Sequence, residues 1–189
     1  MLQVPTLVSD RAIITILRTE QATQLAEFYA RNRQKFKPWF PKRPASYYTS
    51  EYWQTRLETI YEQFLADRAL CFSALSQDQQ CVLAVANFTA VTEGAFKGCY
   101  LHFAIDNHYE GQGLMQEILC HTLNYIFCEL DLHRIIACYP PANQRAHKLL
   151  AHLGFEQEGF ARSYLKLDDQ WQDHHLTSLI NPLHDHAFN

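Results

Sequence analysis

No apolar run in the sequence approaches the roughly 20 residues that span a bilayer. The opening "MLQVPTLVSDR" has neither the basic start nor the long apolar middle of a secretory signal. These absences predict a cytoplasmic protein without membrane contact. Basic residues give no excess: 16 Lys and Arg stand against 20 Asp and Glu, for a formal net charge of -4. Nucleic-acid binding, which draws on a positive field, has no support at this level. A mildly acidic surface suits a cationic partner. The six cysteines, Cys71, Cys81, Cys99, Cys120, Cys128 and Cys138, contain no C-x-x-C pair and read as small buried hydrophobes of a reducing compartment. Internal repeats, low-complexity blocks and linkers are also missing, and 189 residues at 48% hydrophobic suffice for one full core. One domain over 1–189 is expected, with its core at about 8–181 and a loose tail at 182–189.

What is present alternates between strand and helix signals. β-Branched "RAIITILR" (11–18) predicts a strand, and a helical pattern carrying Leu25, Phe28 and Tyr29 follows. "KFKPWFPKRPASYY" breaks it with three prolines. From about Ser50, Trp53, Leu57, Ile60, Tyr61, Phe64 and Leu65 recur at helical spacing. Strands are expected at 69–76, 81–91 and 99–106, then a helix through Met115, Ile118, Leu119, Leu123, Ile126, Phe127 and Leu130. After the strand "RIIACYP", a short helix is capped by Asn143 and stopped at Gly154. Two strands around "DDQ", 158–167 and 171–180, form a terminal hairpin. The class is mixed α/β, with about seven strands.

"HYEGQG" (108–113) sits between a strand and a helix. A helix start presents unpartnered amides and a partial positive charge, which favour an anion. Gly111 and Gly113 let the backbone approach it at φ values that side chains oppose. The turn lacks the third glycine of a dinucleotide site, since position 116 is Gln116, and lacks the lysine of a P-loop, since Leu114 and Met115 follow. A glycine turn with no ligand is the alternative.

The succession of a strand, H-Y-E-G-Q-G, a helix, a strand and "NQRAHKLLAHLGF" resembles the GNAT superfamily of acetyl-CoA-dependent N-acetyltransferases, over about residues 8–181. "KPWFPKRPASYY", "EGQGLMQEIL", "LHRIIACYPPANQRAHKLLAHLGFEQEGFA" and "YLKLDDQWQDH" are similar to the RimJ/RimL-type enzymes within it, which acetylate N-terminal residues of ribosomal proteins. The resemblance implies a mostly antiparallel twisted sheet, splayed to admit acetyl-CoA. It places the CoA pyrophosphate on the turn His108, Tyr109, Glu110, Gly111, Gln112 and Gly113 with Leu114 and Met115. The acetyl-pantetheine arm falls along Phe103, Ala104 and Ile105 and beside Asn143. It further implies direct transfer to an N-terminal α-amine, with the alanine terminus of a small-subunit ribosomal protein as leading acceptor. Two positions depart from the family: His108 replaces the usual glutamine or arginine, and Ala146 replaces a serine associated with protonating the departing thiolate.

For the proton transfers, His102 is the candidate base and Tyr139 the candidate donor to the thiolate. A core histidine and an aromatic wall are the respective alternatives. Glu110 could instead be a solvated turn residue. An α-amine titrates near 7.7–8.0 against about 10.4 for lysine, so an N-terminal acceptor needs little help from a base. Trp39 and Phe40, framed by Pro38 and Pro41, are candidates for an acceptor groove. Asp173 could attract an ammonium, or could support a turn. The pairs His174–His175, His184–His186 and His147–His152 make no three-ligand set, so no metal is expected. Rival readings are acetylation of a polyamine or aminoglycoside, and an acetyl-CoA-binding module without turnover. The protein is expected to be a monomer or homodimer.

Overall fold

The computed structural model describes residues 4–184. One eight-stranded sheet runs in the order β1-β2-β3-β4-β5-β6-β8-β7. Its strands are β1 (Thr6–Val8), β2 (Ile13–Ile16), β3 (Leu70–Leu75), β4 (Val82–Thr92), β5 (Gly98–Ile105), β6 (Arg134–Tyr139), β7 (Glu156–Leu167) and β8 (Gln170–Ile180). Every neighbouring pair is antiparallel except β5 and β6. The strand beyond the expected seven is β1, whose three residues are too few to show an alternation, and it pairs Thr6 with Thr15. At the β7–β8 turn, Asp168 and Asp169 both take positive φ, which aspartate tolerates better than most side chains.

Among the described residues five α-helices cover the sheet: α1 (Ala22–Arg31), α2 (Arg33–Phe36), α3 (Ser50–Leu65), α4 (Leu114–Cys128) and α5 (Gln144–His152). Alternation sorts the strand residues between two layers. Phe72 and Phe88, fully buried, meet edge to face, and Phe72 also meets Tyr125 of α4. On the other face, Tyr29 of α1 stacks on Trp53 of α3 at 4.8 Å, and the Trp53 indole donates to the Tyr47 carbonyl. That bond satisfies the one polar atom of a buried tryptophan. Leu65, expected inside, is exposed because it ends α3. No described helix is long and apolar enough to cross a membrane. Of the expected tail, Pro182–His184 form a 3-10 turn and His184 Nε2 lies 2.6 Å from Asp131; residues 185–189, including His186, lie outside the described residues.

The parallel pair is where the sheet opens. β5 and β6 match only at Gly98–Arg134, Cys99–Ile135 and Tyr100–Ile136. Beyond Tyr100, β5 stays bonded to β4 as far as Ile105, while β6 follows β8 as far as Tyr139 opposite His175. Each lip is held by its outer neighbour, so the inner edges keep backbone groups free for a strand-like ligand.

Candidate active site

The turn between β5 and α4 is tied down from three sides. Buried Asp106 accepts from the His108 amide at 3.0 Å, from Asn32 at 3.2 Å and from Arg31 of α1, and its carboxylate lies 2.9 Å from the His108 ring. Burial by itself raises the Asp106 pKa, but the His108 amide, Arg31, the His108 ring and Asn32 outweigh it and bring it to about 2. Arg11, preceding β2, donates to Glu117 and to the Gln112 carbonyl at 2.8 Å. Glu110 pairs with Lys35 at 2.9 Å and with Arg145 of α5, so its carboxylate braces the turn between two helices.

What these ties leave free is the backbone. Gly111 and Gly113 take φ of +73° and +76°, and Gly113 caps α4. The turn's own bonds end at Glu110 N to Asn107 O, and the next joins Glu117 N to Gly113 O. Among the described residues, the amides of 111–116 make no close, well-aligned hydrogen bond, and they gather at a helix N-terminus. This arrangement fits a diphosphate. Leu114 and Met115 are buried, so only their amides can take part, while the His108 side chain is 80% exposed.

The parted strands open onto a cavity of about 700 Å³ between the sheet and helices α1 and α3. His102 and Phe103 line one lip, Tyr139 and Asn143 the other, with Trp39 and Phe40 at the far wall. Ala104, Ile105 and residues 108–115 lie outside its lining. The His102 ring opens onto the cavity, opposite Asn87 of β4, and the surrounding walls lower its pKa by desolvation. Tyr139 is buried; its hydroxyl sits 2.7 Å from His147 Nδ1, and desolvation raises its pKa. Asn143 Oδ1 accepts the Ala146 amide at 3.1 Å and thereby starts α5 beside the cavity.

Asp173 stands elsewhere. Its carboxylate accepts the Ser163 amide at 2.8 Å, where β7 bulges and Ser163 takes positive φ, so it supports the hairpin rather than lining the cavity. The neighbouring His174 lines it instead. His174 Nδ1 lies 3.0 Å from the Gln172 carbonyl, and because a carbonyl only accepts, Nδ1 carries the proton and Nε2 keeps its lone pair. Burial lowers the His174 pKa against the opposing pull of the Gln172 carbonyl and Asp173. Sequence reasoning named His174 only as part of the terminal hairpin and of a histidine pair and gave it no role in proton transfer, although alternation puts adjacent residues on opposite faces. The inward face is set by the register of β8 on β6. Arg43 and Arg56 were missed too, and no Asp or Glu lines the cavity with them. The described residues contain no group of three or more His, Cys, Asp or Glu placed to hold a metal ion.

Comparisons with known proteins agree with this geometry. The [ribosomal protein uS5]-alanine N-acetyltransferase of Escherichia coli K12 is 41% identical over 176 residues, covering 93% of this chain and 91% of that protein. The crystal structure of the ribosomal-protein-S5-alanine acetyltransferase from Vibrio fischeri superposes with a TM-score of 0.91 at 30% identity, covering 94% of this chain and 97% of that one. Mycobacterium smegmatis RimJ in complex with CoA-disulfide shares the fold, with a TM-score of 0.83 at 23% identity over 94% of this chain and 86% of that one. Residues 11–156 match the family described as the acetyltransferase (GNAT) domain, and the chain belongs to that family.

Proposed function

We propose that the chain transfers the acetyl group of acetyl-CoA to the N-terminal α-amine of a protein, the alanine terminus of ribosomal protein uS5 being the leading acceptor. The observation that carries this reading is the single cavity joining His102, Phe103, Tyr139 and Asn143 to the Trp39–Phe40 loop. The Escherichia coli relative, a [ribosomal protein uS5]-alanine N-acetyltransferase, supports the acceptor. Such an acceptor puts the reaction in the cytoplasm.

Acetyl-CoA supplies an acetyl group already activated as a thioester. The chain's own residues do the rest. Amides 111–116 bind the pyrophosphate, the unpaired edge of β5 at Phe103–Ile105 bonds to the pantetheine arm, and an amide at His102 or Phe103 steadies charge on the thioester oxygen. No Asp or Glu lines the cavity, so its walls offer an incoming α-amine no carboxylate that would hold it protonated. His102 or His174 takes the proton that the amine loses on attack, since a lowered pKa keeps each imidazole neutral near pH 7. Tyr139 gives a proton to the departing thiolate and regains it through solvent-exposed His147. A tyrosine here makes the serine absent at Ala146 dispensable.

Mass spectrometry of a peptide panel with acetyl-CoA tests the reading. Free alanine- and serine-starting peptides should gain one acetyl group. N-terminally blocked peptides with a free lysine, and spermidine, should gain none. Acetylation of spermidine alone would refute the peptide acceptor, and CoA binding without any product would identify a sensor.

A further inference from the structure

Three arginines face the acceptor side; no carboxylate lines the main cavity, and Asp168 alone lines the adjoining one. Arg43 and Arg56 line the main cavity, and Arg33 and Arg43 line an adjoining cavity of about 330 Å³. The two cavities share Tyr29, Phe40, Pro41, Arg43 and Tyr47, so they adjoin at these side chains and Arg43 stands in the lining of both. Among the described residues none of these arginines has an ion-pair partner, a lack they share with Arg18, Arg68 and Arg162 and not with Arg11, Arg31, Arg134 and Arg145. Arg43 Nε is buried and bonded to nothing. A buried donor without an acceptor is costly, which is why nearly all are paired. The guanidinium groups of Arg33 and Arg43 lie over the rings of Tyr48 and Tyr47, 4.7 and 4.8 Å from the centroids, and those stacks hold the two groups in place. Lys37 and Lys42 add charge at the outer end, partly offset by Asp168 and Asp169 at 3.6 and 2.8 Å.

We infer that the acceptor carries at least one acidic side chain within the first few residues after its terminal amine, and that Arg43, with Arg56 and Arg33, reads it. This rests on the peptide-acceptor reading above. An extended peptide advances about 3.3–3.6 Å per residue, so the first few residues behind a terminus at the parted strands lie within the main cavity, which Arg43 and Arg56 line. A guanidinium offers a carboxylate two parallel hydrogen bonds, a match that neither an amide nor an amine reproduces. The local field is the reverse of the chain's formal charge of -4. The polarity expected from composition, a surface suited to a cationic partner, therefore does not hold at this site.

The test compares three free alanine-starting peptides that differ only at the third and fourth residues, carrying Glu, Gln or Lys, with wild-type protein, Arg43→Gln and Arg56→Gln. Wild-type kcat/KM should fall about tenfold from Glu to Gln, equivalent to about 1.4 kcal/mol, and further for Lys. In Arg43→Gln the Glu-to-Gln ratio should shrink towards one, and in Arg56→Gln it should shrink partway. Equal wild-type rates for Glu and Gln peptides would overturn the inference and leave the peptide acceptor standing. A raised KM for acetyl-CoA in Arg43→Gln with the ratio unchanged would also overturn it, by assigning the arginine to the acyl donor. If no free-amine peptide is acetylated at all, both readings fall together. The wild-type comparison depends on no variant's folding.

Discussion

The two ends of the cleft between β5 and β6 are made of different material. At one end, a turn and a helix start within residues 106–117 offer backbone amides, with two glycines at positive φ and Asp106 as an anchor. The other end is assembled from side chains of α1, α3, α5, the strands β3 to β8 and the loop between α2 and α3. A site made of backbone is insensitive to most side-chain changes and vulnerable to anything that alters φ. A site made of side chains behaves in the opposite way. The first suits a group that every acetyl-CoA molecule shares, and the second suits an acceptor that must be distinguished from others.

Changing a glycine should separate the two ends most sharply. Gly113→Val places a β-branched residue at φ +76°, a strain of roughly 1–3 kcal/mol. By calorimetry, CoA affinity should fall more than about 100-fold, well beyond what the strain costs in stability. Retention of wild-type affinity would show that backbone geometry is not what holds the anion.

A smaller loss, confined to turnover, is expected at the other end. Tyr139→Phe keeps the ring and removes the hydroxyl that meets His147, so kcat should fall roughly 100-fold with KM for both substrates nearly unchanged. An equal rise in either KM would make Tyr139 a wall of the site rather than a proton donor.

The two imidazoles can then be told apart by pH. Both pKa values are lowered by burial, so each ring is neutral above its own pKa and the acid-side loss of rate should lie below about 6.5. Whichever of His102→Gln and His174→Gln removes the acting base should lower kcat/KM about tenfold or more and flatten that limb. The other should keep the limb in place. If both keep it, the proton leaves through water.

The smallest effect belongs to Asp173. Asp173→Ala removes one hydrogen bond to the Ser163 amide, which should cost about 1 kcal/mol in thermal unfolding and change kcat/KM less than about twofold. A larger loss of activity would mean that the β7–β8 bulge itself shapes the acceptor side.

Much of this was legible in the sequence because it depends on neighbours in the chain. The α4 start at Gly113, the Asn143 cap and the amphipathic face of α3 all come from residues within a turn or two of one another. The GNAT resemblance rests on such local runs, and it anticipated the parting of the sheet. The three-residue β1 escaped because so short a strand exists only by pairing with β2.

By itself, then, the sequence determined a mixed α/β chain with a glycine turn at the mouth of a helix, since periodicity and φ restrictions act over a few residues. Tertiary structure alone decided that His174 rather than Asp173 faces the cavity, because a strand's inward face depends on its register with a partner some 40 positions away, Thr177 opposite Ala137. It also decided the sign of the charge at the acceptor site. Net charge is a sum over the whole chain, whereas the field inside a cavity comes from the few groups that line it, and here those groups are Arg43, Arg56 and Lys166.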